Sequence, residues 1–499
     1  MKNSQYTIAS VFNALVFFLL IISFSACEED ALEKIPNDRV STEIVFSSTE
    51  NAYAAINGMH RYLYRQWYSR QAEGGQSGNM IYMDVLGEDF VMTARANGWF
   101  ISEYQWLAHR SATSSINRFN YGFYYALISN ANQILAHIDN AQGPETEKNF
   151  LKGQALTYRA WAYFQMVRLF GKRYEKGGDN SGLGVSLITE PAEGAVPRST
   201  VDEVYAQINA DLDAAISFFG NSVSRPDISH LNIDVAKGIK ARVALTQQNY
   251  DIAAQFAREA RQDYPLMSQE EYLDGFSDYT NREWIWGIHH RDDQPTYFYS
   301  FFAYLGNFSS TNTRGNPKAI NSLLYDEISD TDIRKQLWDP TGEQEDFPIV
   351  ANGSRYPYMT RKFLLDNPGN SNGDLAFMRA AEMYLIEAEA LARLGRDAEA
   401  AAVLYDLAVA RDEDYELSTN TGEDLIEEVL IQRRVELWGE GFRFYDLKRL
   451  DLPLDRTGAN HNATLAAKLE EPAGTREWQF LIPQAEIDYT LGVVVQNPL

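Results

Sequence analysis

The chain has 499 residues and a formal net charge of −25 at pH 7, from 44 basic and 69 acidic side chains. A surface that acidic repels nucleic acid, and no basic run offsets it. A single cysteine leaves no internal disulfide to stabilise the fold, so packing must do so.

Residues 1–26 read as a lipoprotein signal peptide. Lys2 is followed by an apolar stretch from Val11 to Ile22, broken only by Asn13. A bilayer-spanning helix takes about 20 residues, so this stretch is too short to span and suits a signal core. It ends in Ser23-Phe-Ser-Ala-Cys27, with small residues just before the cysteine. Cys27 is therefore expected to become the first mature residue and to carry lipid, each buried methylene contributing about 0.8 kcal/mol to anchoring. Glu28-Glu-Asp30 opens a charged tether over 27–40. No linker divides the remainder of the chain, and 27–499 reads as one domain.

Helical periodicity then dominates. Asn51 to Tyr64 places Ala55, Ile56, Met59 and Leu63 on one stripe, and Gly122–Ile138 and Lys152–Phe170 repeat the pattern. Thr200 and Glu203 stand three apart, as in a capping box. Two segments have the character of tetratricopeptide helix pairs, Ala236–Gln247 with Tyr250–Gln262 and Met378–Leu394 with Ala398–Arg411. In the first, Ala253, Ala257 and Ala260 form the small-residue row that lets helices approach. Because the repeats are degenerate and far apart, an irregular helical scaffold is expected and not a regular solenoid. The fold class is mainly α, with long loops carrying a few short strands. Residues 66–110 and 280–360 are rich in Gly, Asn, Asp, Tyr and Trp. Loops of that length are functional or disordered, and their aromatic content argues against disorder.

A sugar ring offers an apolar C–H face edged by hydroxyls, so its receptor needs flat aromatic platforms beside amide or guanidinium groups. Arg95, Asn97 and Trp99 supply that combination in one loop, with Gly98 permitting an unusual turn. Tyr297 and Tyr299 share a face if extended, and Tyr304 continues the run; Trp67, Tyr68 and Trp106 are further candidates. Trp284 and Trp286 alternate as in a strand and are expected in the core, as are Trp161 and Trp438. Glu436 and Glu440 are four apart, and Arg433 and Arg443 stand at the spacing that would pair them. That predicts an architectural ion-pair network, with no raised carboxyl for acid catalysis. Asp330, Asp332 and Asp339 could hold calcium, but no spacing resembles an EF-hand, and no cofactor is expected. His289-His290 lacks a cysteine partner, and there is no phosphate-binding glycine loop or nucleophile elbow.

Several segments, in order, resemble the SusD/RagB family. They are Leu32-Glu-Lys-Ile-Pro-Asn-Asp38, Ala54-Ala-Ile-Asn-Gly58, Ala131-Asn-Gln-Ile-Leu135, Ala155 to Phe164 with Arg168-Leu-Phe-Gly171, and Asp211-Leu-Asp-Ala-Ala215. The C-terminal part is the most specific, with Arg379 to Ala390, Arg433 to Arg449, Ile482-Pro-Gln-Ala-Glu486 and Gln496-Asn-Pro498. The resemblance implies an outer-membrane lipoprotein facing the exterior, seated over a SusC-like TonB-dependent transporter. Such a protein binds oligosaccharide or polysaccharide and passes it inward without cleaving it. A peptide-binding member of the same family, a helical glycoside hydrolase and a purely structural partner are the alternatives.

Overall fold

The computed structural model describes residues 42–499, apart from Ser69, Gln71, Ala192, Asp292, 295–300, 308–312, Arg314 and 366–370. The signal segment 1–26, Cys27 and the tether 27–40 lie outside the described residues.

Helix α1 (Thr49–Tyr62) starts at Ser48, whose hydroxyl accepts the Asn51 amide, and buries Ala52, Ile56, Met59 and, just past its end, Leu63. The buried stripe is thus the predicted one with Ala52 in place of the half-buried Ala55. Helix α2 (Gln76–Val85) is buried throughout after its first residue. Helices α3 (Ser115–His137) and α4 (Glu145–Phe170) begin before the stretches whose periodicity marks them in the sequence. From Phe150 onward α4 is buried on nearly every side, Arg159 and Gln165 included, as befits a helix at the centre of the array. Helix α5 (Val201–Phe219) carries the expected reciprocal cap: Glu203 N–H donates to Thr200 Oγ1 at 3.2 Å, and Thr200 N–H donates to Glu203 Oε2 at 2.8 Å.

The two helix pairs form where expected, as α6 (Ile233–Thr246) with α7 (Tyr250–Arg261) and α8 (Ala380–Arg393) with α9 (Asp397–Ala408). Their separation in sequence misleads, however. Helix α7 packs directly on α8, with Ala253, Ala257 and Ala260 fully buried, so α3 to α9 form one continuous array. Arginines paired with buried carboxylates rivet the helices to one another. Arg159 on α4 grips Asp211 on α5 with two bonds of 2.8 and 2.6 Å, and Arg242 on α6 holds Glu382 on α8. Arg258 and Arg261 on α7 both reach Glu387 on α8.

The excursion between α7 and α8 leaves and returns along one antiparallel strand pair. In it β2 (Trp284–Ile288) faces the returning strand Leu375–Arg379, with Trp284 opposite Arg379 and Ile288 opposite Leu375. Trp284 and Trp286 are core residues, as their alternation predicts. A second sheet runs in the order β1 (Phe90–Met92), β3 (Lys318–Ile320), β5 (Met359–Thr360), β4 (Trp338–Asp339), all antiparallel; the returning strand Leu375–Arg379 is β6.

Helices α10 (Glu423–Glu436) and α11 (Arg443–Leu450) carry the charged C-terminal motif. Glu436 and Glu440 do sit in an ion-pair network, but not with the predicted partners. Arg433 pairs with Asp446 at 2.7 Å, and Arg443 turns to Glu88 and Asp89. Glu436 instead meets Arg379 at 3.0 Å and Arg411 and Arg334 at 3.3 Å, while Glu440 meets Arg379 and Lys362 at 2.7 Å. Glu283 and Asp332 complete the cluster through Arg379, Arg411 and Arg334. Four cations thus balance four carboxylates inside the protein, the arrangement that makes burial of charge tolerable. Helical spacing failed here because the pairing runs between segments far apart in sequence, from the excursion to the C-terminal helices.

Candidate functional site

The loop carrying Arg95, Asn97 and Trp99 is held at its start by the sheet. After β1, Thr93 Oγ1 donates to the Pro317 carbonyl at 2.7 Å, and the Ala94 amide donates to Asn316 Oδ1 at 3.2 Å. The chain then turns sharply, with Ala96, Gly98 and Phe100 all left-handed at φ 39°, 84° and 60°. A Cβ on Gly98 would meet nothing within 4 Å, so glycine is there for its backbone and not for space. Ala96 and Phe100 have no such licence, and each left-handed residue costs about 1–2 kcal/mol. Strain of this kind persists only where surrounding contacts enforce it, and it clusters at functional sites. The turn leaves Arg95, Ala96 and Asn97 exposed and Trp99 half-buried, and sends Phe100 inward against Tyr82 at 4.9 Å and Tyr304 at 4.3 Å between ring centres.

Two candidates are corrected by their burial. Tyr304 is 1 % exposed: its ring lies under the Lys318 ammonium at 4.0 Å, and its hydroxyl donates to the Trp99 carbonyl at 3.4 Å. It supports the loop from beneath. Trp106 is equally buried, its indole N–H donating to the Leu86 carbonyl at 2.9 Å and its ring edge-on to Trp478. Both rings lie on segments with no period to reveal their direction. Tyr297 and Tyr299 lie outside the described residues. The base of their loop is pinned, since Tyr64 Oη donates to Gln294 Oε1 at 2.8 Å and His290 Nε2 lies 2.7 Å from the Gln294 carbonyl.

Trp67 is half-buried and belongs to a cluster in which rings and guanidiniums alternate. Arg65 lies 4.4 Å from the Tyr62 ring centre and 4.9 Å from that of Trp67; Arg61 stacks on Tyr64 and Arg118 on Tyr68, each at 4.4 Å. Successive ring contacts from Trp67 through Phe123, Phe119 and Tyr82 reach Phe100, so this cluster and the Trp99 loop share one aromatic seam. Sequence reasoning missed Arg61, Tyr62, Tyr64, Arg65 and Arg118 as site residues. The signal that could have found them is the mixture of arginines and rings in Arg61-Tyr-Leu-Tyr-Arg-Gln-Trp-Tyr68, within a strongly acidic chain.

The carboxylates of the C-terminal motif offer no acid–base pair. Burial pushes the Glu436 carboxyl up, but Arg411, Arg379, Arg334 and Lys362 outweigh it and hold it well below the usual range; Arg379 and Lys362 do the same for Glu440. A general acid needs the opposite shift. The aspartates with calcium-binding potential do not converge. Asp332 is taken by Arg334, while Asp339 accepts the Thr341, Gly342 and Gln344 amides. No group of three or more metal-ligating side chains occurs among the described residues. His289 leans on Asp374 at 3.1 Å.

A riveted helical array that presents a strained aromatic loop places the fold in the helical-repeat class. Residues 301–499 match the model of the SusD family, and residues 62–245 match that of the starch-binding proteins associating with the outer membrane. A SusD-like protein of Formosa agariphila is 24 % identical over 492 residues, covering 89 % of this chain and 90 % of its own. A SusD-like carbohydrate-binding protein of Bacteroides vulgatus superposes with a TM-score of 0.78 at 25 % identity, over 90 % of this chain and 97 % of that one. A laminarin-binding SusD-like protein superposes with a TM-score of 0.70 at 21 % identity, over 91 % of this chain and all of that one. The chain belongs to the SusD/RagB family. None of the helices among the described residues is long and apolar enough to cross a membrane.

Proposed function

We propose that this protein captures glycans at the outer face of the outer membrane and delivers them to a SusC-like TonB-dependent transporter without breaking a bond. In this reading lipid on Cys27 holds it there through the charged segment that follows. The observation that carries this reading is the Trp99 loop, where three left-handed residues hold a half-buried ring beside exposed Arg95 and Asn97. The names of its relatives, one carbohydrate-binding and one laminarin-binding, support the same cargo class. Two or three ring contacts at about 1 kcal/mol each, with a few hydrogen bonds, give micromolar to millimolar affinity. Weak grip suits a protein that must let go, and confinement beside the transporter restores effective concentration.

The test is retardation in native gels containing laminarin, xylan, alginate or carrageenan. Trp99→Ala is expected to abolish retardation by the retarding glycan, with the melting temperature unchanged. Equal migration of the parent protein in every glycan, or release of reducing ends by it, would overturn the proposal.

A further inference from the structure

Across most of the molecule each arginine has a carboxylate or a backbone carbonyl to satisfy it, as Arg159, Arg242, Arg379 and Arg456 illustrate. Most of the exceptions gather at one place. Arg61, Arg65, Arg70 and Arg118 make no ion pair among the described residues, and their guanidiniums donate to no carboxylate or carbonyl there; Arg291, beside Tyr64, is in the same position. Arg61 Nη1 and Arg65 Nε are moreover buried without a partner, a costly state for an N–H donor. The guanidiniums of Arg61, Arg65 and Arg118 lie 4.4 to 4.9 Å from the ring centres of Tyr64, Tyr62, Trp67 and Tyr68, which hold them in place without neutralising their charge. A guanidinium so held can grip a carboxylate or sulfate by two parallel bonds.

The acids nearby do not cancel this charge. From His60 to Gly75 the sequence has three arginines and only Glu73. Glu73 is fully buried, and burial pushes its carboxyl up toward the neutral form against Arg70 and Arg118. Asp293 is the described carboxylate beside Tyr64. In a chain of charge −25, a patch of cations with no carboxylate partner among the described residues opposes the general repulsion of anions, and buried ring contacts join it to Phe100 beneath the Trp99 loop.

We propose that the ligand of this site is an anionic glycan, its uronate or sulfate groups gripped by Arg61, Arg65 and Arg118 while its ring faces lie on the aromatic side chains. This rests on the glycan-capture reading and narrows it. The test measures binding of the full chain to alginate oligomers, carrageenan oligomers, laminarin oligomers and poly-glutamate by calorimetry. Tighter binding of alginate or of carrageenan than of laminarin by about tenfold or more supports the proposal and tells carboxylate from sulfate. That preference should fade between about 50 and about 500 mM salt. Arg65→Gln and Arg61→Gln should each weaken the anionic oligomer about tenfold, and Arg65→Lys by nearly as much, because it keeps charge but loses the fork. Arg282→Gln, on an arginine elsewhere on the surface, should leave it unchanged. Lys and Gln variants that melt with the parent exclude misfolding. Equal or better binding of laminarin overturns this inference and leaves glycan capture standing. Binding of poly-glutamate alone, or of no oligomer, overturns both.

Discussion

Asp84 shows how one side chain ties the N-terminal half to the C-terminal motif. Its Oδ2 accepts the Gly441 amide at 2.7 Å, and Gly441 is itself left-handed at φ 86°, where a Cβ would strike Met80 Cα at 2.6 Å. Burial pushes the Asp84 carboxyl up to about 8, the Gly441 and Arg443 amides offsetting only part of that. The unfolded carboxyl ionises near 3.8, so the stability this group contributes is full below that value and is lost as pH rises toward 8. Asp84→Asn keeps the acceptor and cannot ionise. Its melting temperature should rise relative to the parent between pH 5 and pH 8, and a gap that narrows over that range would contradict the burial assigned to Asp84. The terminal Gln496-Asn-Pro498 acquires a similar explanation. Gln496 bonds both the amide and the carbonyl of Ile482, while Asn497 donates to the Phe170 and Phe480 carbonyls. With Lys448, whose ammonium donates to the Arg168 and Gly171 carbonyls, it closes the end of α4. The motif is visible in the sequence but its purpose is not, because the Phe170 carbonyl that it satisfies lies more than three hundred residues upstream.

Among the elements, α10 depends on charges delivered from elsewhere. Glu436 at its end neutralises Arg379, Arg411 and Arg334, which come from β6, the turn after α9 and the excursion. Removing one member of a buried cluster leaves its partners uncompensated, at a cost of about 3–5 kcal/mol. Glu436→Gln is therefore expected to lower unfolding free energy by that amount in urea titrations, and a loss below about 1 kcal/mol would mean that the cluster is not buried as described. The other pH dependence has the opposite sign from that of Asp84. Glu440 sits below its ordinary value of 4.5, so the stability it contributes is present above that pH and disappears in acid. Local rules read most helices well, since caps and apolar stripes act within a few residues: Thr200 with Glu203 and Ile56 with Met59 and Leu63 are examples. The same rules failed for Glu436 and Glu440, for Trp106 and for Tyr304, where direction or partner is set by chain that periodicity does not reach.

For the molecule as a whole, the decisive contact is α7 on α8. Sequence distance suggests two isolated helix pairs, yet Ala253, Ala257 and Ala260 let them meet as neighbours. Enlarging one of these residues should strain the seam. Ala257→Leu is expected to cost about 1–3 kcal/mol, seen as a lower melting temperature with a single transition retained. Gln255→Leu, on the exposed side of the same helix, should leave it nearly unchanged.

The pairing of β2 with β6 makes the excursion a module with its entrance and exit side by side. Between Ile288 and Leu375 the chain is tied back to the rest of the molecule by Lys318–Ile320 against β1 and by Arg334 and Lys362 in the ion-pair cluster of Glu436 and Glu440. Variation is therefore cheap only in the segments between those ties, where neither a paired strand nor a buried charge would be lost.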